Sequence, residues 1–157
     1  MSAEFHYAVG VGGNIGDVPA TLRAAARWLE GDGLIVLAAE APLIGTDPVG
    51  GPVGQPRFVN GAWILATSLG PHQLLHRLQR AETEFGRIRN LHWGPRTIDL
   101  DLLLREDGCT CASPVLTLPH PRLAERAFVL KPLAVIAPRW RVPPLGCTVA
   151  ELSAACP

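Results

Sequence analysis

Asp99 and Asp101 stand on alternate residues of a largely apolar run that follows the corner Gly94-Pro95-Arg96, reading Thr97-Ile98-Asp99-Leu100-Asp101-Leu102-Leu103. Successive side chains of a strand point to opposite faces, so the spacing predicts a strand with both carboxylates on one face, their Cα atoms about 6.5 Å apart. Ile98, Leu100 and Leu102 take the other face. Two acids that close, set among leucines, repel each other and lose hydration unless cations or hydrogen-bond donors compensate. Hard carboxylate oxygens in such a pair suit magnesium, which keeps several waters and completes its shell with substrate phosphates. An edge strand with a solvated polar face is the bland alternative, and the flanking leucines and Arg96 argue against it.

Arg87, Arg89 and Arg96 surround the acids in sequence, and Arg126 follows later, close to Phe128. Guanidinium forks match phosphate oxygens bidentately, so arginines converging on a magnesium pair form a triphosphate site and neutralise charge that moves during phosphoryl transfer. Any one of them alone reads as a surface charge. Gln79 and Glu82 are three apart on a predicted helix and share a face near Gly86, where solvated helix residues would look the same. Phe58 and Asn60 share a strand face, offering a ring to stack on and an amide to read a heteroaromatic edge. A core Phe and a turn-proximal Asn fit those two positions equally well. His120, between Pro119 and Pro121, is a rigidly placed imidazole able to donate to a phosphate, and a purely structural histidine fits as well. Gly12-Gly13-Asn14 lacks the lysine and the spacing of a phosphate-cradling P-loop.

The chain has 157 residues, 48% hydrophobic and 18% charged, enough for one domain spanning 1–157 with a real core. Fourteen basic residues balance fourteen acidic ones, which does not support a broad electrostatic grip on nucleic acid or an anionic membrane. No apolar run approaches about 18 residues and no signal peptide is evident, so a cytoplasmic location is expected. Cys109, Cys111, Cys147 and Cys156 match neither a zinc spacing nor a disulfide framework and read as reduced, small apolar residues.

Hydrophobic periodicity predicts a strand from Phe5 to Val11 running into a glycine-rich corner. A helix follows, with Asp17 as N-cap, Pro19 in its first turn and Leu22, Ala25, Ala26 and Leu29 as its apolar stripe. Leu34 to Ala39 makes a second strand. Gly45 to Arg57 is too rich in Gly and Pro to be regular. Phe58 to Thr67 resumes strand alternation, and Pro71 opens a helix that ends at Gly86. After the acid-bearing strand, the pattern predicts a short helical stretch at Leu123 to Ala127, a strand or extended run at Phe128 to Val135, and a terminal helix at Thr148 to Ala155. The order βαββαβ, with helices on one side of a mostly antiparallel sheet, predicts a ferredoxin-like α+β fold.

These motifs occur together and in order: Gly10-Val11-Gly12-Gly13-Asn14, Thr46-Asp47-Pro48-Val49-Gly50, Gln55-Pro56, Phe58-Val59-Asn60, Gln79 to Glu82, Gly86-Arg87, Trp93 to Asp101, Pro119-His120-Pro121, and Arg126 to Leu133. In them the chain resembles, over nearly its whole length, the 6-hydroxymethyl-7,8-dihydropterin pyrophosphokinase family of folate biosynthesis. The resemblance implies transfer of the terminal pyrophosphate of ATP to the pterin hydroxymethyl group, releasing AMP. It implies two magnesium ions on Asp99 and Asp101, and a catalytic set of Arg87, Arg96 and Asp99, with the arginines on the transferring phosphates. Gln79, Glu82, Arg89, His120 and Arg126 would lie on the ATP side. Thr46, Val49, Phe58, Asn60 and Phe128 would line the pterin pocket, with Trp93 helping to close it. The loops Gly45 to Arg57 and Arg87 to His92 would cover the ligands.

The implied partners are small molecules, ATP and the pterin, with no nucleic acid, membrane or obligate protein partner. Gly13, Ile44, His92 and a short stretch between Arg89 and Trp93 depart from the family pattern. A non-catalytic binder of pterin or nucleotide, and a transferase acting on another bicyclic heterocycle, are the competing readings.

Overall fold

The computed structural model describes residues 4–47, 53–54, 56–86 and 97–157. Tyr7, Val9 and Val11 alternate with Ala8, Gly10 and Gly12 along β1 (Phe5–Gly13), giving the central strand one bulky face and one nearly bare face. Asp17 caps α1 (Val18–Glu30), its Oδ1 accepting the Ala20 N–H at 3.1 Å. Pro19 sits in the first turn, where a missing amide costs nothing. β2 (Ile35–Glu40), β3 (Ile44–Thr46) and β4 (Phe58–Thr67) follow. α2 (Pro71–Glu84) gives way to Gly86, whose φ of 83° suits glycine. β5 (Asp99–Arg105) carries the acids. A small hairpin, β6 (Cys111–Ala112) and β7 (Thr117–Leu118), leads to a 3-10 turn at Leu123–Glu125 and then α3 (Ala127–Ile136). A second hairpin, β8 (Arg141–Val142) and β9 (Cys147–Thr148), ends in α4 (Val149–Ala155).

The main sheet runs β2-β4-β1-β5 with every neighbouring pair antiparallel, and β3 continues along the same edge of β4 as β2. This is the ferredoxin-like βαββαβ arrangement. Tyr7, Val9, Val11, Trp63, Leu65, Leu100 and Leu102 pack with α1 and α2 on one face. Ala8, Ala62, Ile64, Leu103 and Leu104 pack with α3 and α4 on the other. Helices therefore cover both faces, which corrects the expectation of a single helical layer. The small Ala8 and Ala62 leave room for Val129, Leu130 and Leu133 to close over the second face.

Residues 128–135 are helical rather than extended. Phe128-Val129-Leu130-Lys131-Pro132-Leu133-Ala134-Val135 is almost continuously apolar, and such a run has no period that separates a buried helix from a buried strand. Packing decides it: Leu130 and Leu133, both at 0% exposure, point at the sheet, each burial contributing about 1.5–3 kcal/mol. The helical stretch expected at Leu123 to Ala127 is only the 3-10 turn, with Arg126 extended between it and α3. The four cysteines are free and half-buried. No helix among the described residues is long and apolar enough to cross a membrane.

Candidate active site

Strand register brings the expected residues together on the bare face of the sheet. Gly12 of β1 lies between Asn60 of β4 and Asp99 of β5, and Gly10 lies between Ala62 and Asp101. The lane from Asn60 to Asp99 is about 10 Å wide, two strand spacings, and its floor carries no side chain at Gly12. That absence is required: a Cβ on Gly12 would stand 2.6 Å from the Val59 carbonyl oxygen and 2.7 Å from Asn60 Oδ1. Asn60 donates through Nδ2 to Thr46 Oγ1 at 2.6 Å, which orients its amide with Oδ1 over Gly12.

A cavity of about 600 Å³ opens above this lane, and its wall includes Thr46, Phe58, Asn60, Asp99, Asp101 and Phe128. Phe58 enters from the start of β4 and Phe128 from the first turn of α3, so two half-buried rings come from opposite sides of the sequence to one space. Arg126, extended just before α3, sets its guanidinium 5.8 Å from the Phe128 ring and 3.8 Å from Asp101 Oδ2. A second cavity of about 300 Å³ lies between α2 and the segment 113–117, with Gln79 and Glu82 in its wall. Asp101 and His120 line both cavities and form their junction.

Glu82 is only 2% exposed, and its Oε2 accepts the Leu100 N–H at 2.9 Å. The solvated helix acid suggested by its spacing is thus a buried tie between α2 and the acid-bearing strand. His120 is anchored through its N–H to the Leu103 carbonyl at 2.7 Å, and its Nδ1 accepts the Arg122 N–H at 3.2 Å. That assignment leaves the proton of the neutral ring on Nε2. Burial, aided by the charges of Arg126 and Arg122 and opposed by Asp99, holds the imidazole below its ordinary pKa. His120 therefore offers Nε2 as its donor atom at the junction of the cavities.

Val49, Arg87, Arg89, Trp93 and Arg96 lie outside the described residues. Asp47, Arg122 and Glu125 line the larger cavity without having been singled out from sequence. Asp47 appeared only within the Thr46 to Gly50 motif, with no role of its own, and Arg122 and Glu125 had no signal beyond proximity to His120 and Arg126. Asn14, 5% exposed, donates to the Pro56 carbonyl at 2.9 Å and ties the end of β1 to the approach to β4.

The model of the 7,8-dihydro-6-hydroxymethylpterin-pyrophosphokinase family matches residues 8–138. The chain belongs to this family. It is 46% identical over 149 residues to the 2-amino-4-hydroxy-6-hydroxymethyldihydropteridine pyrophosphokinase of Pseudomonas aeruginosa, covering 95% of this chain and 90% of that relative. The enzymes of the same name from Synechocystis and Bacillus subtilis are 42% and 43% identical. The Synechocystis match covers 92% of this chain and 72% of the relative, and the Bacillus match 82% and 75%. In fold, the chain is similar to a crystal structure of Plasmodium falciparum HPPK-DHPS, with a TM-score of 0.71 at 12% identity. That match covers 98% of this chain and 46% of the longer Plasmodium chain, and at such identity it speaks for the pyrophosphokinase fold alone.

Proposed function

We propose that this chain, as a single pyrophosphokinase domain, transfers pyrophosphate from ATP to the hydroxymethyl group of 6-hydroxymethyl-7,8-dihydropterin, a step of folate biosynthesis that yields the pterin diphosphate and AMP. The observation that carries this reading is the lane itself: a bare glycine floor joins an orienting amide, Asn60, to a pair of carboxylates at its far end. A flat bicyclic ring set between Phe58 and Phe128 lies along that lane, its amide edge at Asn60 and its hydroxymethyl group toward Asp99. Gln79, Glu82 and His120 make the nucleotide side, and Asp101 borders both cavities where the triphosphate must cross.

Asp99 and Asp101 fit magnesium: two oxygen donors on one face of β5, half-buried, opening on a cavity with room for waters and phosphates. Two bound magnesium ions would neutralise triphosphate charge and orient the β-phosphorus for in-line attack. The protein's own groups do the rest. Asn60 and the two rings place the hydroxymethyl oxygen, and Asp99 accepts its hydrogen bond and then its proton. The new bond joins that oxygen to the β-phosphorus, and the bond to the α,β-bridging oxygen breaks as AMP leaves. His120 Nε2–H and the Arg126 guanidinium donate to phosphate oxygens, with Arg87, Arg89 and Arg96 adding further positive charge. Val49 and Trp93 complete the pterin side. This reading takes the cytoplasm, where magnesium and ATP are abundant, as its location.

Incubating the purified protein with magnesium, ATP and 6-hydroxymethyl-7,8-dihydropterin tests this directly. AMP and pterin diphosphate in equal amounts are expected by chromatography. Binding of both ligands without AMP would overturn the reading in favour of a non-catalytic binder.

A further inference from the structure

Arg122 lines the larger cavity together with the two acids. Its backbone N–H holds His120 Nδ1 at 3.2 Å, so the arginine is bound to the donor at the junction of the two cavities. Its charge also reaches the imidazole, adding to Arg126 in disfavouring His120 protonation. The guanidinium is engaged through Nε with Glu125 Oε2 at 3.7 Å, with side chains 51% and 71% exposed. An ion pair so long and so wet is weak. Arg126, by contrast, is 22% exposed and sits between the Phe128 ring and Asp101. Of the two arginines on the described wall, Arg122 is thus the one with the looser partner. A phosphate oxygen offers a guanidinium a stronger, charge-assisted partner than a solvent-screened carboxylate at that distance.

We propose that Arg122 is a further nucleotide-binding residue: when MgATP enters, its guanidinium leaves Glu125 and takes a phosphate oxygen of ATP beside His120. Glu125 competes for the guanidinium and restrains it in the ligand-free protein. The inference rests on the pyrophosphokinase reading, because it needs a triphosphate at the Asp101–His120 junction.

Calorimetric titration with magnesium and α,β-methylene-ATP separates the possibilities. Arg122→Gln should weaken binding of the analogue by about tenfold, the size expected for loss of one charge-assisted contact, and Arg122→Lys should recover part of it. Glu125→Gln should tighten binding, because the competing carboxylate is gone. Pterin affinity, measured with the analogue saturating, should be the same in all variants. Equal analogue affinity in the wild type and Arg122→Gln would overturn the proposal, and so would a parallel loss of pterin affinity, which marks a merely structural role. Weaker analogue binding in Glu125→Gln would overturn the restraint. Failure of the parent reading would look different: a wild-type protein that binds the analogue and the pterin, yet makes no AMP from ATP.

Discussion

The Glu82 carboxylate accepts the Leu100 N–H at 2.9 Å, so a buried acid of α2 holds the residue that separates Asp99 from Asp101. Among the described residues β5 is an edge of the main sheet, and an outward N–H there has no neighbouring strand to pair with. Glu82 supplies the partner and locks the acid-bearing segment to a helix that also forms the wall of the smaller cavity. Glu82→Ala should destabilise the fold by about 1–3 kcal/mol, since it strands a buried donor, with a much smaller loss in Glu82→Gln. Urea denaturation of the two variants measures the difference.

Asp99→Asn keeps the shape of the lane while removing a charge that the proposed mechanism uses for both metal and proton. Turnover should fall by about two orders of magnitude or more, and chelation of magnesium should abolish it in the wild type. Steady-state rates at saturating substrates decide the matter. Wild-type turnover in Asp99→Asn would remove both roles at once.

Gly12→Ala tests the glycine floor. The added methyl would meet the Val59 carbonyl oxygen at 2.6 Å and Asn60 Oδ1 at 2.7 Å, so the amide must shift, at about 1–3 kcal/mol for overpacking of this kind. Pterin affinity should drop by fluorescence titration while binding of MgATP changes little. Equal losses for both ligands would mean that the strands around Gly12 had moved together, and the special role of the floor would be lost.

Asp107 provides a pH test away from the site. Arg105, with its guanidinium 4.0 Å from the Phe5 ring, donates to both Asp107 oxygens at 2.8 and 2.9 Å. Those bonds hold the Asp107 carboxyl below its ordinary pKa. A lowered folded-state pKa stabilises the protein above the unfolded carboxylate range, and the gain disappears as pH falls through the lowered value. Asp107→Asn should therefore cost stability at pH 7, and its deficit should close progressively in acid. With the Asp107 side chain 55% exposed, screening limits the difference to under about 1 kcal/mol. Thermal denaturation across that pH range tests the sign, and a deficit that grows in acid would refute it.

Local rules were enough for much of the scaffold. The period of two along residues 98–102 set Asp99 and Asp101 on one face, opposite the buried Leu100 and Leu102. Asp17 and Pro71 marked the starts of α1 and α2 because a cap and a missing amide act within a single turn. Continuous apolar composition at 128–135 carried no such local instruction. Its helical state, and the second helical layer, came from packing against Ala8, Ala62 and Leu103. The burial of Glu82 likewise depended on Leu100, eighteen residues away in sequence.

By itself, the sequence determined the chemistry available: paired carboxylates, a rigidly flanked histidine, aromatic rings and an amide, at spacings that bonded neighbours and strand or helix period enforce. Only the tertiary structure decided which of these share a space. Gly12 lies between Asn60 and Asp99 through strand register, and His120 and Asp101 meet at one junction although they stand nineteen positions apart in the chain. Such contacts are settled by long-range burial and pairing, whose free energy belongs to the whole sheet and its two helical layers rather than to any segment read alone.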